Sequence, residues 1–170
     1  MIFLNIGSNI PSEYNGRVLN INKTIKFLKL KKIRIKKTSH FYETPSYPDP
    51  IKPRFLNICL EVEFSLKPSG LLKLISEVET SMGRKRGKKN QPRVCDIDII
   101  DFNSLIIKTK NIILPHPRTN ERNFVLYPLQ EICPNWKDPL SNVKIDNLIT
   151  NLSFKMRNEI TRMTESATID

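Results

Sequence analysis

The chain has 170 residues, of which 39% are hydrophobic, so the composition predicts one buried core and a single domain. The net charge of +11 favours a polyanionic partner, which can be a nucleic acid, an anionic membrane or a nucleotide. The three cysteines are widely spaced and form no CxxC pair, which argues against a disulfide framework or a zinc site and favours a reducing cytoplasm. Neither a signal peptide nor a run approaching the roughly 18 apolar residues of a membrane span is found, so we expect a soluble protein inside the cell.

The first part of the chain predicts a strand, a helix and two further strands. Residues 2–6 are mostly apolar and lead into a turn at residues 7–9. Residues 18–30 repeat apolar side chains at three- and four-residue spacing, which indicates a helix with one buried stripe. Residues 32–45 alternate as a second strand. Residues 55–66 form a third, with one apolar face toward the core.

The following segments predict a second helix, a fourth strand and a third helix. The helical pattern covers residues 68–82, and Gly83 stands where a C-cap is expected. Residues 94–102 read as a strand, and residues 114–134 as a turn followed by a helix. The resulting order of strand, helix, strand, strand, helix, strand predicts an α+β fold with a ferredoxin-like βαββαβ core, a mainly antiparallel sheet with helices packed on it.

These elements predict a domain over residues 1–150. Residues 151–170 are polar and poorly patterned, which predicts a C-terminal tail that is loosely helical or disordered.

Asp96 and Asp98 stand in QPRVCDIDII, a run that otherwise reads as a buried strand. Because side chains alternate along a strand, the two carboxylates share one face, whereas Asp101 has the opposite parity and is interpreted as a strand-end residue. Mg²⁺ prefers oxygen ligands and commonly uses one or two carboxylates together with substrate phosphates. The pair is therefore a candidate platform for a metal-bound nucleotide. The alternative is an exposed strand face with incidental acidic residues.

Six basic residues lie between positions 84 and 93, directly before this strand. A solvated charge run is one interpretation, and phosphate binding is the other, since guanidinium groups bind phosphate oxygens in a bidentate fork. The segment is not a Walker A loop. Only three residues separate Gly83 from Gly87, and Lys88 is followed by a second lysine instead of Ser or Thr.

A histidine and a group of aromatic and polar residues complete the candidates. His116 lies between two prolines, which can present it to a ligand on a rigid turn, and Arg118 and Arg122 extend the basic surface. Residues able to hold a flat heterocycle by stacking and edge hydrogen bonds are Thr44, Pro45, Phe55, Asn57 and Phe124. Taken alone, these five can equally be core and turn residues.

Six motifs occur in a fixed order between about residues 2 and 135. They are IGSN at 6–9, SHFYETP at 39–45, FLN at 55–57, E-x-x-x-GR at 79–84, PR-x-x-DIDI at 92–99, and LPHPR-x-x-ER-x-FVL-x-PL at 114–129. DIDI alone is unspecific, but the ordered series is very hard to obtain by chance. In this series the sequence resembles the 6-hydroxymethyl-7,8-dihydropterin pyrophosphokinase family.

The resemblance implies an enzyme that transfers pyrophosphate from ATP to the hydroxymethyl oxygen of the pterin and releases AMP, in tetrahydrofolate biosynthesis. By this resemblance Asp96 and Asp98 would hold two Mg²⁺ ions, which explains how the two carboxylates tolerate each other. Arg84, Arg86 and Arg93 would lie on a mobile loop that closes over ATP. The implied catalytic residues are Asp96, Asp98, Arg84 and Arg93.

The resemblance also implies two binding sets and the partners. The remaining ATP-binding residues would be Glu79, Ile99, His116 and Arg122. The pterin-binding residues would be Thr44, Pro45, Phe55, Asn57 and Phe124, with the two phenylalanine rings stacking on the heterocycle from opposite sides. The partners expected are these small molecules alone, with no nucleic acid and no membrane, for a monomeric protein.

Two departures from the family pattern and two alternatives accompany this interpretation. Family members often carry RWGPR before the Asp pair, whereas this chain has KNQPR and a shorter loop, so an aromatic lid contact is missing; Tyr47 can also alter access to the pterin. The main alternative is a basic ferredoxin-like nucleic-acid-binding module, although its K/R-G-F/Y-G/A-F-V-x-F/Y signature is absent from the sequence. The other is a structural subunit that does not bind Mg²⁺.

We predict that the basic segment is protected from proteolysis when the substrates bind. Trypsin should cut between Lys85 and Lys89 rapidly in the free protein and slowly with a non-reactive ATP analogue, Mg²⁺ and pterin, because closure orders the segment. Mass spectrometry of the fragments measures both rates. Equal rates at saturating ligand concentrations would leave the segment as a solvated charge run.

Overall fold

A six-stranded sheet forms the centre of the fold in a computed structural model, which describes residues 1–11, 16–46, 49–84 and 92–168. The strands are β1 (Ile2–Ser8), β2 (Arg34–Thr38), β3 (His40–Thr44), β4 (Phe55–Glu63), β5 (Asp96–Phe102), β6 (Ile107–Lys108), β7 (Ile113–Leu114) and β8 (Thr161–Ser166). The α-helices are α1 (Arg17–Leu30), α2 (Pro68–Ser81), α3 (Asn123–Ile132), α4 (Ile145–Asn151) and α5 (Phe154–Asn158), and a 3₁₀ turn covers Thr119–Glu121. Among the described residues, no helix has both the length and the apolar character needed to cross a membrane.

The sheet is antiparallel throughout, in the order β5-β1-β4-β3-β8, with β2 also paired to β4. The predicted α+β, ferredoxin-like core is thus confirmed. The predicted second strand is divided into β2 and β3 at Ser39, whose side-chain Oγ accepts the Cys59 N–H (3.0 Å) in place of a backbone carbonyl. β6 and β7 form a separate two-stranded sheet.

Both faces of the sheet are covered by helices, which explains why β1 is buried along its whole length. On one face, Leu4 and Ile6 belong to a large core cluster that includes Ile25 of α1 and Ile75 of α2. On the other face, a second cluster joins the sheet to α3 and α4; it includes Phe3, Cys59, Ile100, Val125, Leu129, Trp136 and Ile145. The prediction of a single apolar face for β4 was therefore incomplete, because Cys59 is fully buried on the second face.

The parity predicted for Asp101 is wrong, and the reason is an irregularity in the pairing of β1 with β5. Asp98 pairs with Asn5 and Asp101 with Phe3, because the register shifts between Phe3 and Leu4. Since Phe3 and Asn5 share a face of β1, the shift brings Asp101 onto the same face as Asp98. There its buried carboxylate accepts hydrogen bonds from Trp136 Nε1 (2.9 Å) and the Ser104 N–H (2.8 Å).

The C-terminal residues also differ from the prediction of a loosely helical or disordered tail. Residues 154–158 form α5, and residues 161–166 form β8, which pairs with β3. After β8, Ala167 is buried in the first core cluster and the Thr168 N–H donates to Asn22 Oδ1 (3.1 Å). Alternation is missing from this part of the sequence because β8 is an edge strand that leaves almost every side chain exposed. The boundary of the domain at residue 150 stays a prediction.

We predict that Asp101→Ala lowers the free energy of unfolding by about 2–4 kcal/mol, because it removes two buried hydrogen bonds and leaves the Trp136 indole N–H without its acceptor. Denaturant unfolding followed by the fluorescence of Trp136, the single tryptophan, measures the change. Glu165→Ala, at an exposed position of β8, is the control and should change it by less than about 0.5 kcal/mol. A similar value for both variants would contradict the structural role of Asp101.

Candidate active site

The Asp96 and Asp98 carboxylates lie on one face of β5, as their spacing predicts. β5 is at an edge of the sheet, where Asp96 pairs with Gly7 and Asp98 with Asn5 of β1. Both carboxylates are about a quarter exposed, with relative side-chain accessibilities of 28%. They line a cavity of about 290 Å³ between the sheet and the N-terminal end of α3.

Three guanidinium groups compensate the charges of the two carboxylates. Arg84 Nη1 lies 2.8 Å from Asp96 Oδ1, and Arg93 Nη1 lies 2.9 Å from Asp96 Oδ2. On the neighbouring acid, Arg122 Nη1 donates to Asp98 Oδ2 at 3.0 Å. Cationic side chains in contact with both acids thus offset the repulsion between like charges on one strand face.

Glu79 fixes the position of Arg84 relative to β5. It lies in the last turns of α2, where its Oε1 accepts the Ile97 N–H of β5 (2.9 Å) and also pairs with Arg84. Gly83, with φ of 80°, follows the C-cap residue of α2, and the left-handed backbone explains why glycine is suited to this position. Burial raises the pKa of the Glu79 carboxyl, against the opposing effect of the Arg84 charge. Glu79 therefore binds both the backbone of β5 and Arg84, and so holds the arginine beside Asp96.

His116 lies beside Asp98 and is attached to β5 through its backbone. Its N–H donates to the Ile100 carbonyl (2.9 Å), and its Nδ1 accepts the Arg118 N–H (3.2 Å). Nε2 then faces Asp98 Oδ2 at 3.9 Å. Burial lowers the pKa of the imidazole, and burial raises the pKa of the Asp98 carboxyl, with a further increase from the charge of Asp96. The neutral imidazole with Nδ1 as acceptor carries its proton on Nε2, so the ring presents a donor toward Asp98, although His116 is not among the residues that line the cavity.

The five residues proposed to hold a flat heterocycle line the same cavity. They are Thr44 and Pro45 at the end of β3, Phe55 and Asn57 on β4, and Phe124 at the start of α3. The Asn57 amide is oriented by hydrogen bonds from its Nδ2 to Thr44 Oγ1 (3.2 Å) and to the Tyr42 carbonyl (3.4 Å). The Phe124 ring is covered on one side by the Arg122 guanidinium, 5.4 Å from its centroid.

Gly7 of β1 leaves room for the neighbouring side chains of Asn57 and Phe55. A Cβ atom at this position would lie 3.0 Å from Asn57 Oδ1 and 3.4 Å from Phe55 Cδ1. Any side chain here would therefore displace the amide or the ring, so the IGSN motif contributes shape to the cavity as well as a turn.

Some predicted residues are not brought to the cavity or cannot be placed. Ile99, predicted as an ATP-binding residue, has its side chain in the first core cluster, because its parity is opposite to that of Asp96 and Asp98. Arg86, with the predicted trypsin sites at Lys85 to Lys89, lies outside the described residues, and so does Tyr47.

Other residues of the site were not predicted individually. Asn9 is buried, and it positions Arg93 by accepting its N–H at Oδ1 (2.7 Å) and donating to its carbonyl (3.1 Å). The IGSN motif carried a signal for this residue. Met156 and Glu159 also line the cavity, but they belong to the segment that was interpreted as a tail, and no sequence signal pointed to them.

Residues 3–134 match the family model for 7,8-dihydro-6-hydroxymethylpterin-pyrophosphokinase, abbreviated HPPK. The chain belongs to this family. The resemblance of the sequence to this family is confirmed, and with it the prediction of an enzyme of this class. The alternative of a nucleic-acid-binding module is not supported.

Relatives of this chain include proteins of which the match covers most of the length and a much longer protein. The 2-amino-4-hydroxy-6-hydroxymethyldihydropteridine pyrophosphokinase of Aquifex aeolicus is 35% identical over 153 residues, which are 87% of this chain and 92% of the relative. The enzyme of the same name from Bacillus subtilis is 39% identical over 114 residues, 67% of this chain and 68% of the relative. The folic acid synthesis protein of Dictyostelium discoideum is 39% identical over 152 residues, which cover 89% of this chain but only 22% of that protein.

Among solved structures, the wild-type HPPK-DHPS of Plasmodium falciparum with pteroate has the same fold. It superposes with a TM-score of 0.73 at 17% identity, and the match covers 95% of this chain and 47% of that chain. The chain thus spans about half of this structural relative. At this identity the likeness establishes the architecture and not the function.

We predict that the pKa of His116, measured by NMR titration of its ring signals, lies below the ordinary value for histidine and rises in Arg122→Ala. The substitution removes a positive charge near the imidazole and leaves the Asp98 carboxylate without its guanidinium, and both changes favour the protonated ring. As the pH falls through the ordinary pKa of histidine, the unfolded chain takes up this proton first, so His116 destabilises the fold in acid.

The second histidine is the internal control for this titration. His40 of β3 pairs with Glu131 of α3 (2.6 Å), and its ring signals should be the same in Arg122→Ala as in the parent protein. A pKa of His116 that is unchanged or lowered by the substitution would disprove the electrostatic coupling.

Proposed function

We propose that this chain transfers the pyrophosphoryl group of ATP to the hydroxymethyl oxygen of 6-hydroxymethyl-7,8-dihydropterin and releases AMP. The observation that supports the proposal is one cavity, in a chain of the HPPK family, whose lining includes both the acidic pair Asp96 and Asp98 and the two aromatic residues Phe55 and Phe124. The acceptor would bind between Phe55 and Phe124, and the triphosphate near Asp96 and Asp98.

The donor set at Asp96 and Asp98 fits Mg²⁺. Two carboxylates on one strand face open into the cavity, and carboxylate oxygens are ligands that Mg²⁺ prefers. Within the described ranges, no group of three or more His, Cys, Asp or Glu residues forms a complete metal site, which fits ions that take their remaining ligands from phosphates and water. When bound, the two proposed ions supply positive charge to the phosphates and make the attacking hydroxyl more acidic.

When the substrates bind, the arginines would replace contacts with aspartate carboxylates by contacts with phosphate oxygens. Arg84, Arg93 and Arg122 each contact an aspartate in the structure, and a carboxylate that coordinates a cation needs these contacts less. A triphosphate entering the cavity offers the same arginines new oxygens with favourable bidentate geometry. His116, neutral and protonated on Nε2, would add a donor on the side of Asp98. These side chains would orient the phosphates and stabilise the charge that develops during the transfer.

The slot would orient the acceptor. Stacking between Phe55 and Phe124 would fix the plane of the heterocycle, and the polar groups of Thr44 and Asn57 would bind its edge. The Asn57 amide is already oriented by its bond to Thr44, so less conformational entropy is lost when a substrate binds.

We further propose that the protein acts as a monomer in the cytoplasm, without a nucleic-acid or membrane partner. Support for a reducing compartment comes from the cysteines, since Cys59, Cys95 and Cys133 are all free and the first two are buried.

We predict that Asp96→Asn and Asp98→Asn each lower turnover by about 10³-fold, equivalent to about 4 kcal/mol, because each loses a charged metal ligand near the transferred phosphates. The assay combines protein, ATP, Mg²⁺ and the hydroxymethyl dihydropterin and measures AMP. Both variants should keep the fold, which circular dichroism checks.

Asp146→Asn is the matched control for these variants, since Asp146 is exposed on α4 outside the cavity, and it should retain full activity. Near-normal turnover of either site variant would disprove the metal role. Absence of AMP with folded wild-type protein would disprove the proposed reaction.

A further inference from the structure

One wall of the cavity comes from a part of the chain that the family model does not cover. The model ends at residue 134, whereas Met156 of α5 and Glu159 after it line the cavity together with Asn123 and Phe124. The C-terminal segment therefore reaches a site whose other described lining residues lie between Asn5 and Phe124.

Met156 is held next to the aromatic slot by one asparagine. The Asn123 Nδ2 amide donates to the Met156 carbonyl (2.7 Å), and Asn123 Oδ1 accepts the Phe124 N–H (2.7 Å). The Met156 N–H in turn donates to Ser153 Oγ, which caps α5 (3.2 Å). A single side chain thus ties the Phe124 backbone to the Met156 backbone, and the Met156 side chain packs partly against the second core cluster.

The remainder of the C-terminal segment fixes α5 from its other end. α5 has five residues and none of them is buried, so its own packing does not determine its position. After it, β8 pairs with β3, placing Arg162 opposite Tyr42. Arg162 also approaches Glu131 of α3 (3.4 Å), and the same Glu131 accepts the Tyr42 hydroxyl (2.7 Å). Met156 is thus supported on both sides by contacts to the sheet and to α3.

We propose that Met156 is a specificity-determining residue that bounds the heterocycle slot, and that α5 and β8 position it. The inference rests on the proposed function, since it assigns to Met156 a contact with the pterin acceptor. A thioether suits such a wall, because it is flexible and polarisable and makes favourable contacts with aromatic rings. Met156 would limit the size of the heterocycle beside Phe124, without taking part in the transfer itself.

The test uses Met156→Ala and Met156→Leu in the full chain. Met156→Ala should raise the KM for the hydroxymethyl dihydropterin about 10-fold and leave the KM for ATP unchanged, because an apolar contact on one substrate is lost. Met156→Leu keeps the volume and should restore the wild-type KM. With a panel of ring-alkylated pterins, Met156→Ala should increase kcat/KM for at least one bulky analogue relative to the parent substrate.

Met163→Ala is the matched control. It removes the same side chain from the same C-terminal segment, but Met163 packs against the first core cluster and does not line the cavity. This variant should lower the melting temperature and leave both KM values unchanged. A structural effect of Met156→Ala alone would change the melting temperature in the same way and would not change the preference among pterins.

The outcomes separate the two proposals. If the wild-type protein converts the pterin but Met156→Ala has an unchanged KM and an unchanged preference, or if Met163→Ala raises the pterin KM equally, the inference is overturned and the proposed function stands. If the folded wild-type protein neither binds the pterin in calorimetry nor forms AMP, the proposed function and the inference fail together.

Discussion

The compensation of two neighbouring carboxylates is the constraint on which the site depends. Asp96 and Asp98 share a face of one strand, and the repulsion between their charged forms is offset by neighbouring positive charges. Arg84 and Arg93 provide that charge at Asp96, and Arg122 provides it at Asp98. These arginines come from three different places in the chain: the end of α2, the approach to β5 and the approach to α3. The charges of the acids thus connect segments that would otherwise be independent.

The fold brings these segments together because the sheet is covered on both faces and the site lies where that cover ends. Asp96 and Asp98 lie on the same face of the sheet as the second core cluster. α3, which begins at Asn123, covers part of this face, and the cavity lies between the N-terminal end of α3 and the two aspartates. Gly7 keeps the centre of this cavity free of side chains. A rigid, well-packed floor with polar groups at its rim restricts the motion of the acids and the amide, which is the condition for orienting two substrates in one cavity.

Much of the fold and of the site could be predicted because the relevant signals are local. Two-residue alternation places Asp96 and Asp98 on one face, and the 3.6-residue period identifies α1 and α2. The burial of Asp101 could not be predicted, because it depends on a register shift between two strands far apart in the sequence. The position of Ile99 follows from simple parity, and its predicted contact with ATP came from the motif alone. β8 could not be predicted, because an exposed edge strand has no buried face to leave a periodic pattern.

The residues proposed to determine substrate preference lie in two parts of the chain, one inside and one outside the range that matches the family model. The residues proposed to bind phosphate and to stack on the heterocycle lie within the part of the chain that matches the family. Met156 lies outside that part and is positioned through its own backbone, by the Asn123 side-chain amide and by the strand pairing of β8, interactions that place few demands on the side chain at position 156. A wall built in this way can change its size by a substitution at one position while the acids, the arginines and the aromatic rings keep their places. On the proposed assignment, the size limit of the slot can therefore vary independently of the transfer chemistry.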